Sequence, residues 1–177
     1  MNVRLLSALC LTLCAAPLRP ATLEQLSLDD MIAKSTAIVR GTVTDSYAAF
    51  SGRMIYTHYT VQVSERFKGA GTGTVDVAVP GGVAGKLRQT FEGAPVFQRG
   101  EEYVFFLWTG ATGPAQVVGL TQGLFRVGQD GSATRTGSRE AMLEAGTGRP
   151  VKDQTLVMPM SQLRGRIAAG LAKGAAK

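Results

Sequence analysis

Between Met54 and Lys68 the residues alternate, with Ile55, Thr57, Tyr59, Val61 and Val63 on one side and Tyr56, His58, Thr60, Gln62 and Ser64 on the other. A two-residue period is that of a strand with one buried and one wet face. After the glycines at 69, 71 and 73 the alternation resumes at Val75, Val77 and Val79 and stops at Pro80, Gly81 and Gly82, which predicts a hairpin. Ahead of it, Ala37 to Asp45 is rich in β-branched residues, with Val39, Gly41 and Val43 on one face and Gly41 where a strand has to bend. Tyr103 to Trp108 is continuously apolar, the pattern of a central strand covered on both sides, so Phe105 and Phe106 face opposite layers.

Shorter segments complete the sheet. Gly110 and Gly113 turn the chain toward a strand at Gln116 to Leu120, Leu124 to Val127 supplies another, and Asp130 with Gly131 marks a tight turn. Ser132 to Arg135 then returns as a short edge strand at which a barrel closes. Ser27 caps a short helix beginning at Leu28, with Asp30 placed for a capping box, so Asp29 and Asp30 read as favourable charges in a first helical turn. Arg139 to Ala145 is expected as a brief helix and Gly146 to Asp153 as a linker. Ser161 caps a last helix with Leu163, Ile167 and Leu171 on one stripe, although Gly165 and Gly170 weaken it.

The beginning of the chain sets the expected compartment. Arg4 precedes an apolar run from Leu5 to Leu13, too short to span a bilayer, and the small residues Ala15, Ala16 and Ala21 follow, as in a cleavable secretory signal. Both cysteines, Cys10 and Cys14, belong to this segment, so the expected mature chain forms no internal disulfide and is held by packing. The expected division is residues 1–21 as signal peptide, 22–136 as the barrel domain and 137–177 as a basic tail carrying the last helix.

The net charge of +6 is unevenly placed: Thr22 to Val127 holds nine basic and nine acidic residues, while Gly128 to Lys177 holds eight and four. A neutral body with a basic tail suits solubility or weak attraction to an anionic envelope surface better than specific recognition. With export expected as well, nucleic acid is not the expected partner.

The chemical inventory is short. His58 is the only histidine and sits on the polar face of a strand beside Ser64, with no convergent acid or oxyanion hole to form a triad. One histidine without cysteines makes no structural zinc site. Gly85 and Lys86 lack the earlier glycine and following Ser or Thr of a phosphate loop. Glu101 and Glu102 are neighbours at a strand start, so their side chains diverge. The stretch from Val83 to Gly100 mixes Gly, Pro, Lys and Arg, with a short strand near Lys86 to Thr90. Such an excursion on a rigid scaffold is where binding residues collect. The candidate binding loop is Pro80, Gly81, Gly82, Lys86, Arg88, Phe91 and Phe97.

Three stretches in order, Ala37 to Val43, Tyr59 to Val63 with Phe67, Lys68 and Gly69, and Gly100 to Phe106, resemble netrin-like modules and the tissue inhibitors of metalloproteinases over roughly Ser27 to Val127. The resemblance implies an OB-type barrel. It does not carry the inhibitory mechanism, which needs an N-terminal cysteine braced by disulfides. The fold expected is therefore all-β with minor helices, an OB-like closed or partly open barrel with a short N-terminal and a C-terminal helix. The function expected is an exported binding or interaction module for a protein or envelope component, with no catalytic residue, cofactor or metal assigned. A protease inhibitor acting through a loop and an enzyme with an unrecognised site are the alternatives.

Overall fold

The computed structural model describes residues 22–71, 73–111, 113–138 and 140–175, so the predicted signal and both cysteines lie outside the described residues. The chain is mostly β-structure with two helices. Its strands are β1 (Thr22–Glu24), β2 (Ala37–Ser51), β3 (Met54–Lys68), β4 (Thr74–Pro80), β5 (Gly82–Ala84), β6 (Leu87–Gln89) and β7 (Glu102–Trp108). They are followed by β8 (Gln116–Val117), β9 (Leu124–Val127), β10 (Ser132–Arg135), β11 (Ala141–Leu143), β12 (Pro150–Val151) and β13 (Leu156–Pro159). The helices are α1 (Leu28–Lys34) and α2 (Met160–Ala175).

The main sheet is antiparallel and runs β13-β10-β9-β7-β2-β3-β4, with β8 also on β7. Its outer strands, β4 and β13, do not pair with each other among the described residues, so the sheet is not closed. The expected closure at Ser132–Arg135 is corrected: that segment is an inner strand between β9 and β13. The four residues of β13 are too few to show a period in the sequence, and their register on β10 is set by tertiary packing.

β7 divides the interior. Val104 and Phe106 face one apolar layer with Ile38, Phe125 and the helices, while Phe105 and Leu107 face another with Val39, Tyr59, Val61 and Val77. Both phenylalanines are fully buried, on the opposite faces expected. In the first layer α1 begins with the capping box: the Asp30 N–H donates to the Ser27 hydroxyl at 3.1 Å, and the Ser27 N–H donates to the Asp30 carboxylate at 3.0 Å. The hydrogen bond from the Ser27 hydroxyl, helped by that from its N–H, holds the Asp30 carboxyl below its ordinary pKa.

α2 buries Leu163 and Ile167, with Leu171 partly covered, along the stripe expected. A Cβ on Gly170 would stand 2.5 Å from the Ile32 Cδ1, so this glycine, unfavourable for the helix, allows α2 to approach α1. The predicted helix at Arg139–Ala145 is corrected. Its described part contains β11, paired parallel with β1 and antiparallel with β12, with Met142 buried, and Arg139 lies outside the described residues. Here pairing with the distant β1 overrides local propensity. The expected linker likewise holds β12 and a buried carboxylate, Asp153, whose Oδ1 accepts from Arg135 Nη2 at 2.7 Å.

β2 changes register against β3 between Ile38 and Val39, between Arg40 and Gly41, and between Val43 and Asp45. Such irregularities bend and twist a strand pair. At Gly41 a Cβ would lie 2.5 Å from the Gln62 carbonyl oxygen, so the bend requires glycine, as the sequence indicates. Beyond it β2 and β3 continue as an arm, with β4 paired on the far side of β3 from Tyr56 to Gln62, and the arm turns at Gly52, whose φ is +61°.

Candidate docking surface

The inner side of this arm is roofed by the β5–β6 hairpin. A Cβ on Gly82 would stand 2.5 Å from the Thr57 Oγ1 and 3.2 Å from the Ala48 Cβ, so only a glycine lets β5 pass this close. The Gly81 N–H donates to the Ile55 carbonyl at 2.8 Å, and the Thr57 hydroxyl donates to the Gly81 carbonyl at 2.8 Å. Gln89 clamps the turn from β6: its Oε1 accepts from the Ile55 N–H at 2.6 Å and its Nε2 donates to the Arg53 carbonyl at 3.1 Å. The turn of the arm and the β5–β6 hairpin are thus one body.

The segment after β6 is pinned by an aromatic plug. Phe97 is 5% exposed and meets Tyr59, Tyr103 and Phe105 edge-on, at ring separations of 4.8, 5.2 and 5.5 Å. Its assignment to a binding loop is therefore corrected: no surface remains for a ligand, because the apolar inner layer takes up the ring. Burial also raises the pKa values of the Tyr59 and Tyr103 hydroxyls, and at Tyr103 donation to the Glu101 carboxylate adds to the rise.

The other candidate residues spread over this end. Pro80, Gly81, Gly82, Arg88 and Phe91 line a groove of about 290 Å³ with Val83 and Val96, whereas Lys86 stands outside it at the β5–β6 turn. The apolar side chains here are unusually open: Phe50 is 52% exposed, Val83 48%, Leu87 60% and Val96 73%. Arg53, Lys86 and Arg88 are exposed beside them, and none forms an ion pair among the described residues. Neither Ser46–His58 nor Pro80–Phe91 contains an aspartate or glutamate. Phe50 and Arg53 were missed in the sequence, where the strand was expected to end at Asp45. The signal available was the Ser51-Gly52 pair just before the strong period of β3.

Elsewhere the polar side chains are largely paired, although the buried Arg66 Nε and the Arg135 Nε and Nη1 have no hydrogen-bond partner among the described residues. His58 Nδ1 lies 2.8 Å from the Asp76 Oδ2, and its ring stacks on Tyr47 at 4.9 Å. Ser64 is six residues further along the strand, about 20 Å away, and its hydroxyl donates to the Arg40 carbonyl. Glu102 forms a two-point pair with Arg40, while Glu101 turns to Gln98, Tyr103 and Arg126, so the two carboxylates diverge as expected. A groove of about 730 Å³ beside α1 and β12 mixes Asp30, Glu144 and Asp153 with Arg135, Lys152 and Arg166 and favours neither sign of ligand. Among the described residues no three His, Cys, Asp or Glu side chains are grouped to hold a metal, and no helix is long and apolar enough to cross a membrane. Comparison of the chain with protein-family models, with curated proteins and with solved structures finds no match.

Proposed function

We propose that this chain is an exported interaction module, an OB-like and partly open barrel that docks through the end formed by the β2–β3 turn and the β5–β6 hairpin. The observation that carries the reading is the coincidence there of open apolar side chains with three cations that form no ion pair among the described residues, in segments 46–58 and 80–91 that hold no carboxylate, the exposed Glu92 following Phe91. Isolated surface apolar residues are ordinary, but a contiguous set of them rimmed by charge is the composition of a contact surface. Rigidity supports the same reading. With Gln89 and Phe97 fixing the two sides, docking orders little chain, and the entropic cost of ordering loops on binding is small.

In this reading the chain is exported and its netrin-like resemblance extends to the architecture alone. The test is fractionation of the producing cell. A Phe50→Ser, Leu87→Ser variant removes the two most distal apolar side chains without touching either core layer, so its melting temperature is expected to match the parent. The parent is expected in the envelope fraction and the variant in the soluble fraction. Equal distribution of the two proteins would refute the reading.

A further inference from the structure

The partner chemistry follows from how this end is arranged, and it rests on the docking reading above. We propose that the surface binds anionic lipid headgroups, with the two turns entering the bilayer interface.

The apolar side chains at the extremity stand on turns. Phe50 lies just before the Ser51-Gly52-Arg53 turn of the β2–β3 arm, and Leu87 just after the Gly85-Lys86 turn of the β5–β6 hairpin. Each apolar tip carries its own cation, Arg53 in the first case and Lys86 in the second, while Arg88 is paired across the hairpin from Val83. Leu87 is 60% exposed with Lys86 and Arg88 as its chain neighbours. A protein groove shields its apolar floor behind walls, whereas these side chains project from the ends of two hairpins. That geometry suits a fluid interface, in which apolar tips enter the acyl boundary and the flexible stems of Lys and Arg keep their charges at the headgroups.

Charge selects the lipid. The three cations have no ion-pair partner among the described residues, and the two segments that form the end contain no carboxylate to repel an anionic surface. The rigid link between the turns also matters. The Gln89 hydrogen bonds to the Ile55 N–H and the Arg53 carbonyl fix the turn of the arm to the base of the β5–β6 hairpin. A basic residue close to an anionic membrane strengthens binding about five-fold, so the three together amount to roughly 100-fold. That is a reversible, salt-sensitive attachment.

The experiment is co-sedimentation of the purified protein, as it accumulates from the full chain, with two kinds of vesicle: phosphatidylcholine alone, and phosphatidylcholine mixed with phosphatidylglycerol. The parent is expected to pellet with the mixed vesicles at about 0.1 M salt, to be released at about 1 M salt, and to stay in solution with phosphatidylcholine alone. Replacing Arg53, Lys86 and Arg88 together by glutamine is expected to lower partitioning roughly 100-fold. The Phe50→Ser, Leu87→Ser variant is expected to weaken it at low salt as well. Equal binding to both vesicles, or variants that bind mixed vesicles like the parent, would overturn the proposal. Absence of vesicle binding by a parent that still enters the envelope fraction through Phe50 and Leu87 would overturn the lipid assignment alone and point to a protein occupant. If the parent also failed to enter the envelope fraction, both readings would fall.

Discussion

Replacing Phe97 by alanine removes a ring that is almost wholly enclosed and leaves a cavity against Tyr59, Tyr103 and Phe105. A buried Phe→Ala change costs about 3 to 5 kcal/mol through lost transfer energy and the residual cavity. Each edge-on aromatic contact contributes about 0.5 to 1.5 kcal/mol beyond its area, and three are lost together here, which places the change in the upper half of that range. For a domain of this size each kcal/mol moves the melting temperature about 2 to 4 °C, so a fall of roughly 8 to 20 °C is expected. Thermal unfolding of the parent, Phe97→Ala and Phe97→Leu, followed by far-ultraviolet circular dichroism, measures it. Leucine keeps most of the apolar volume and is expected to recover more than half of the loss. Limited proteolysis is expected to cut the alanine variant faster between Val83 and Gly100. A Phe97→Ala protein that melts within about 2 °C of the parent would show that the plug does not anchor this segment.

Three other outcomes follow from individual side chains or pairs of them. Gly165 lies on the exposed face of α2 with open space where a Cβ would stand, so Gly165→Ala is expected to stabilise the fold by about 0.4 to 1 kcal/mol in urea unfolding. Asp153→Ala strands the Arg135 guanidinium in a site where its side chain is 5% exposed, and is expected to cost about 3 to 5 kcal/mol; a shift under about 1 kcal/mol in the same assay would contradict the pair's structural role. The Arg164 hydrogen bond holds the Glu65 carboxyl below its ordinary pKa. At Glu101 burial pushes the pKa up, but bonds from the Gln98 N–H, Tyr103 and Arg126 bring it below the ordinary value. Depressed carboxylates add stability above their unfolded pKa and lose it as pH falls through the folded value, so Glu65→Gln, Glu101→Gln is expected to flatten the loss of melting temperature from about pH 5 to about pH 3. Parallel profiles for parent and double variant would count against both networks.

The elements legible in the sequence are those whose pattern is long and local. β3 has its full extent in the alternation from Met54 to Lys68, the capping box of α1 is contained within four residues, and the two-sided burial of β7 follows from its unbroken apolar run. β2 was read only to Asp45 because the register shift between Val43 and Asp45 changes the phase of the strand, so the remainder of the arm no longer fits the alternation before it. β11 owes its place to β1 and β13 to β10, partners distant in sequence that no local window contains, and the two-residue β12, paired with the adjacent β11, is too short to show a period. The candidate surface divides the same way. Gly81, Gly82, Arg88 and Phe91, expected from the composition of the loop, line one groove, whereas Phe97 is buried, and an isolated aromatic near Gly, Pro and Ala gives no periodic sign of burial.

Contact through the end carrying Phe50 and Leu87 has a direct test in living cells. It is tested most directly by placing a photoreactive side chain at Leu87, or at the equally open Val157 on the outer strand β13, and illuminating intact producing cells. Strong adducts to envelope material are expected from position 87 and few from position 157. Adducts of equal strength from both positions, or stronger ones from 157, would contradict contact through this end.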